Sequence, residues 1–161
     1  MSSSISIMTK PIPNMRLLTL KGIPPISPLL FWEGAQAKLK AQIEKLPFLR
    51  LVEAPAHLVF FDLPHEKKWP LNWALGLEVL GHGSVPPNEG YDFFDFDAGQ
   101  CYAPATALSS DHIGEEETLK TALEMIQKLK EEGVEFEKTW QILLGMNSLD
   151  IQFPKSPFAQ D

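Results

Sequence analysis

The second half of this chain repeats the order of elements found in the first, and few folds satisfy that constraint. A strand-like apolar run at 15–21 precedes an amphipathic helical stretch at 29–46 and two further strand-like runs at 56–61 and 71–79. After a turn-rich bridge at 80–89, carrying Gly81, Gly83, Pro86 and Pro87, come a run at 99–103, a helix at 115–132, and runs at 139–144 and 149–153. Matching elements are offset by roughly 75 to 85 residues. The pattern predicts an α+β protein of duplicated βαββ units, with a pseudo-symmetric cleft where the units face each other. Residues 1–14, rich in serine and proline, read as a flexible arm; 15–154 as one domain with pseudo-repeats at about 15–80 and 91–154; and 155–161 as a tail. A half of this size cannot bury its own sheet well, so the bridge is expected to be internal to one domain.

The face of each element follows from its period. In the first helix Leu30, Ala37, Leu39, Ala41, Ile43 and Leu46 form the expected apolar stripe, with Ser27 and Pro28 as start signals. In the second, Leu119, Leu123, Ile126 and Leu129 form it, Glu115, Glu116 and Glu117 suit its first turn, and Gly133 ends it. Along 71–79, Leu71, Trp73, Leu75, Leu77 and Val79 alternate with Asn72, Ala74, Gly76 and Glu78. Along 139–144, Trp140, Ile142 and Leu144 alternate with Thr139, Gln141 and Leu143. The apolar faces are expected to meet the helices. The polar faces suit a cleft floor or solvent, and Glu78 and Gln141 are read as holding comparable places in the two halves.

Several functions are disfavoured. The net charge of −7 opposes polyanion binding, so no nucleic-acid partner is expected, and 1–13 is too short for a helix-turn-helix. No run approaches the roughly 20 apolar residues of a membrane span, and no secretory signal is visible, so a cytoplasmic protein without membrane contact is expected. The single Cys101 is read as a small buried residue. His57, His65, His82 and His112 lack metal-site spacing and read as surface or turn residues; no metal site or cofactor is assigned. Asp92-Phe93-Phe94-Asp95-Phe96-Asp97 lacks the glycine and terminal glutamate of a calcium loop and reads as a strand with its acids along one edge.

Three stretches carry a family resemblance. The run from Asn72 to Val79, the run Phe96-Asp97-Ala98-Gly99-Gln100-Cys101-Tyr102-Ala103, and the pair formed by 139–143 and 149–154 together resemble GyrI-like proteins, the effector-binding domain also found behind DNA-binding modules in bacterial transcription activators. The element order matches over about 15–154. The resemblance implies an antiparallel, barrel-like sheet with two main helices, and a cleft that takes apolar, often cationic, small molecules; some members hydrolyse cyclopropane-containing compounds. It also places Gln141 where the family has a glutamate and Leu143 where it has a tyrosine. The missing carboxylate removes the partner for a cation and the obvious general base.

The expectation drawn from this is a stand-alone binder of an apolar, neutral small molecule, with a cleft lined by Trp32, Glu78, Tyr102, Gln141 and Leu143 and no catalytic residue. One alternative is a regulator acting by protein contact through Phe93, Phe94 and Phe96. A second is a hydrolase in which Glu78 replaces the missing acid and Tyr102 donates a hydrogen bond.

Overall fold

The computed structural model describes residues 5–24, 26–66, 68–81, 83–84, 90–109, 114–145 and 148–156; Pro86, Pro87, His82, His112 and the end of the expected tail lie outside them. Among the described residues the class is α+β, with an antiparallel sheet of ten strands and two helices. The strands are β1 (Ile7–Ile12), β2 (Met15–Lys21), β3 (Arg50–Leu51), β4 (Ala56–Phe60), β5 (Trp73–Leu80), β6 (Tyr91–Phe96), β7 (Gly99–Pro104), β8 (Leu108–Ser109), β9 (Trp140–Leu144) and β10 (Ser148–Pro154); the helices are α1 (Pro28–Lys45) and α2 (Glu115–Glu131). None of these helices is long and apolar enough to cross a membrane.

The sheet order β1-β7-β10-β9-β4-β5-β2-β6 contains two like blocks. The first βαββ unit supplies β2, β5 and β4, and the second supplies β7, β10 and β9, with the blocks joined where β4 pairs with β9. The flanking strands are exchanged: β1 precedes the first unit but pairs with β7 of the second, and β6 precedes the second but pairs with β2 of the first. This corrects the expectation for the N-terminal residues. Residues 7–12 are not a loose arm but a strand with six partners in register along β7. The prolines that gave the segment its linker character, Pro11 and Pro13, fall in an end strand and just past it, where a missing N–H removes no central ladder bond.

Both helices pack on one face. Leu18, Leu58, Phe60, Trp73, Leu75, Leu77, Ile142, Ile151 and Phe153 project from that face into a core closed by Ala35, Leu39 and Ile43 of α1 and Ala122, Met125, Ile126 and Leu129 of α2. Ser27 caps α1 by accepting from the Leu29 N–H at 3.2 Å. Its buried stripe is Ala35, Leu39, Gln42 and Ile43, so Leu30, Ala37 and Ala41 turn to water; with so many alanines the helix has no single sharp apolar face, and packing against β5 selects one. Gly133 ends α2 at a φ of +69°, with the Val134 N–H reaching the Leu129 carbonyl. A continuous pile of rings crosses this core: Trp69 on Phe60, Phe60 on Trp140, and Trp140 on Phe153, with centroids 5.4, 4.3 and 4.9 Å apart.

The helix-free face is buried as well. Ile12 and Cys101, from one end of the strand order, pack in one cluster with Leu17 and Phe96 from the other end and Val59 from the middle. The sheet therefore curls until its ends meet through side chains, although no ladder of hydrogen bonds joins β1 to β6 and the barrel stays open. The Ala98 N–H donates to the Asn14 side chain, tying the turn after β6 to the turn after β1.

Candidate functional site

Along the inside of the curl runs a chain of polar side chains. His57 on β4 and Gln141 on β9 sit 84 residues apart, on corresponding strands of the two units, and meet across the junction with Nδ1 to Oε1 at 2.7 Å. Gln141 Nε2 donates to Gln152 Oε1 at 2.9 Å, and Gln152 Nε2 donates to Asp150 Oδ2 at 2.9 Å. Lys10 Nζ donates to the same carboxylate oxygen at 3.2 Å. Only 3% of His57 and 1% of Gln141 are exposed, so these bonds replace water that the site excludes.

The direction of the chain is set by its charged end. A carboxylate only accepts, so Gln152 must present its amino group to Asp150 and its oxygen to Gln141. Gln141 in turn presents its oxygen to His57. His57 therefore carries its proton on Nδ1 and a lone pair on Nε2. Burial pushes its pKa below the usual 6.5, and the Gln141 bond opposes this less strongly. The unfolded chain thus binds a proton before the folded chain does, and stability is lost as pH falls through about 6.5, the loss being complete below the folded value. In urea titrations between pH 7 and pH 5, the wild-type midpoint should fall more steeply than that of His57→Gln. Parallel slopes would exclude His57 as the titrating group.

The five residues expected to line the cleft divide between the two faces. Glu78, Gln141 and Leu143 project to the helix-free side. Trp32 and Tyr102 pack into the core on the helix side, with Lys155 Nζ 5.4 Å over the Tyr102 ring. Glu78 and Tyr102 are thus separated by the sheet and cannot act on one reacting group as a base and donor pair. Nor do Glu78 and Gln141 hold comparable places. Gln141 lies on β9, whose counterpart in the first unit is β4, whereas Glu78 lies on β5, the counterpart of β10. His57 is correspondingly a central buried residue, not a surface or turn histidine. Lys10, Asp150 and Gln152 belong to the polar chain as well, outside the five expected residues. The signal for the last two was present in the alternation of Leu149-Asp150-Ile151-Gln152-Phe153, which puts two polar groups side by side on the face of Gln141.

Beside this chain, a pocket of about 650 Å³ opens where the curled sheet fails to close, between the end of β6 and the neighbouring ends of β7 and β10. Ile12, Phe94, Phe96, Thr139 and Pro154 line it, with Asp97, Glu137 and Lys155 around them. Thr139 and Pro154 stand next along their strand faces to Gln141 and Gln152. Phe96 is only 7% exposed, Phe94 meets the rings of Phe61 and Phe96 edge-on, and the Arg16 guanidinium covers Phe93 at 4.3 Å. These three phenylalanines are therefore pocket wall and core, not the exposed docking patch expected of them. Nor do the acids of β6 share an edge: Asp92 shares a face with Phe94, and Asp95 points the other way to pair with Arg16 at 3.2 Å. Cys101 is fully buried, its thiol pushed up to about 12 by burial first and the nearby Asp150 second, so it stays protonated and unreactive. A second groove, of about 620 Å³, lies outside the curl between Trp69 and the first turns of α2. Among the described residues no cluster of histidine, cysteine and acid side chains could hold a metal ion.

The same fold occurs in known structures. EcmrR, in the cryo-EM structure of its DNA complex, is 16% identical over 92% of this chain, with a TM-score of 0.66. This chain spans 56% of that one. The crystal structure of the EcmrR C-terminal domain is 16% identical over 96% of this chain and 99% of its own, with a TM-score of 0.59. SAV2435, solved bound to tetraphenylphosphonium, is 9% identical over 95% of each chain, with a TM-score of 0.54. These likenesses show the fold alone. No protein-family model matches the chain, and the sequence of no curated protein matches it.

Proposed function

We propose that the protein is a GyrI-like binder of an apolar small molecule, which it takes into the curl of the sheet through the open seam between its two units. The observation that carries this reading is the pocket of about 650 Å³ at that seam, with the apolar walls Ile12, Phe94 and Phe96 next to the buried polar chain. A pocket of this size suits a drug-sized ligand, and apolar walls with a few fixed polar groups are the usual make-up of such sites. SAV2435, which shares the fold, was solved bound to tetraphenylphosphonium, and this supports a ligand-binding reading. Gln141 is neutral and the Asp150 carboxylate is already paired with Lys10, so the polar chain favours a neutral ligand, and Asp97 and Glu137 at the pocket rim are the groups through which a cation would compete.

Thermal shift with a panel of neutral biphenyls alongside tetraphenylphosphonium tests this. Neutral aromatics should raise the melting temperature by several degrees at saturating concentration, and Phe94→Ala should lose most of that response. A panel without hits, or a response untouched in Phe94→Ala, would overturn the reading.

A further inference from the structure

The polar lining of the seam pocket falls into two kinds. Asp97 and Gln100 are exposed at its mouth and stay hydrated whatever the pocket holds. Thr139 is half-buried and stands next along its strand face to the buried Gln141, so it marks the inner end. Its hydroxyl has no hydrogen-bond partner among the described residues, yet it is not sealed from solvent. In the free protein water serves it. A ligand that reaches the inner end displaces that water, and a ligand with no polar atom there leaves the hydroxyl unpaired. The buried walls Ile12 and Phe96 offer it no substitute.

We propose that Thr139 is the specificity-determining residue of the seam pocket, and that its ligand is an apolar body carrying an uncharged oxygen function, a hydroxyl or a carbonyl, at its inner end. The inference rests on the ligand reading above. A threonine hydroxyl both donates and accepts, so it can meet either group. A carboxylate is disfavoured, because Asp97 and Glu137 line the same pocket and Lys155 already lies over the Tyr102 ring.

The test uses 4-phenylphenol and 4-methylbiphenyl, which differ only in a hydroxyl against a methyl group. Their dissociation constants are measured by equilibrium dialysis on the full chain at pH 7, where the phenol is neutral. Comparing the ratio of the two constants between proteins cancels the difference in their own hydrophobicity. Thr139→Val, which keeps the shape of the side chain and removes its oxygen, should shift that ratio about fivefold against the phenol, the size of one neutral hydrogen bond. Thr139→Ser should leave the ratio as in wild type. A ratio unchanged in Thr139→Val, with both probes lost in Phe94→Ala, would leave the pocket standing and overturn Thr139 as its selector. A ratio that shifts equally in Thr139→Ser would assign the effect to packing and overturn it too. Failure of both probes to bind wild type overturns both readings.

Discussion

Trp140→Ala should lower stability by about 4 kcal/mol, the range for removing a large aromatic side chain from a packed core, and the melting temperature by roughly 10 °C. Trp140 is fully buried at the centre of the ring pile, between Phe60 at 4.3 Å and Phe153 at 4.9 Å. It also joins the two units, because it lies in β9 of the second and pairs with Phe60 in β4 of the first. Its indole Nε1 donates to the Asp62 carbonyl at 2.8 Å, fixing the start of the loop that carries Trp69. Trp140→Phe keeps the stacking and loses that bond with part of the volume, so about half the loss is expected. Circular dichroism followed through thermal melts separates these outcomes, since the signal does not depend on the deleted chromophore. A drop of only a degree or two in the alanine variant would mean that the pile contributes little to holding the units together.

Gln141→Glu should cost about 3 kcal/mol at pH 7.5, although it changes only an amide to a carboxylate of the same shape. Gln141 accepts from His57 and donates to Gln152, and a carboxylate does only the first. Two oxygens would then face each other where Nε2 meets Oε1 now. Turning the Gln152 amide over merely moves the clash to Asp150. At 1% exposure there is no water to relieve it, and a buried charge without a partner costs about 3–5 kcal/mol; the lower end applies because His57 can take a proton opposite it. The introduced carboxyl would have a folded pKa above the unfolded value of about 4.3, so its penalty is absent below that pH and grows as pH rises. Urea midpoints should therefore differ widely at pH 7.5 and converge toward pH 5. A variant as stable as wild type at pH 7.5 would show that the chain tolerates a reversed donor, contrary to the direction set by Asp150.

How much of this was legible depends on how local the cause is. β2, β4 and β9 are short, strongly apolar runs and were found nearly to the residue, as was α2, where the apolar spacing and Gly133 agree. β1 was missed because nothing within Ile7–Ile12 makes it a strand; its ladder partners are roughly ninety residues away in β7. The division of the expected lining residues has a related origin. Tyr102 lies next to Cys101, and in a strand one residue exchanges the cleft for the core behind it, a parity that follows from register and not from residue type. Without a register for each strand, Tyr102 could be grouped with Gln141. His57 was read as a surface residue because a buried imidazole needs a partner, and its partner is Gln141 in the other unit. The alternation that put Gln141 and Glu78 on the helix-free face was local and therefore readable.

The exchanged flanking strands also fix when the fold can be completed. As the chain leaves the ribosome, β1 emerges before the first unit, yet it waits roughly ninety residues for β7 to be made. Meanwhile β2 can pair with β5 but not with β6, so a nascent first unit carries an unmet strand edge, a template for pairing with the wrong chain. The curl, and with it the seam, comes into existence only once both units have traded strands. A chain stalled after the first unit would have a helix and a sheet but no cleft, so synthesis has to pass β10 before there is anything for a ligand to enter.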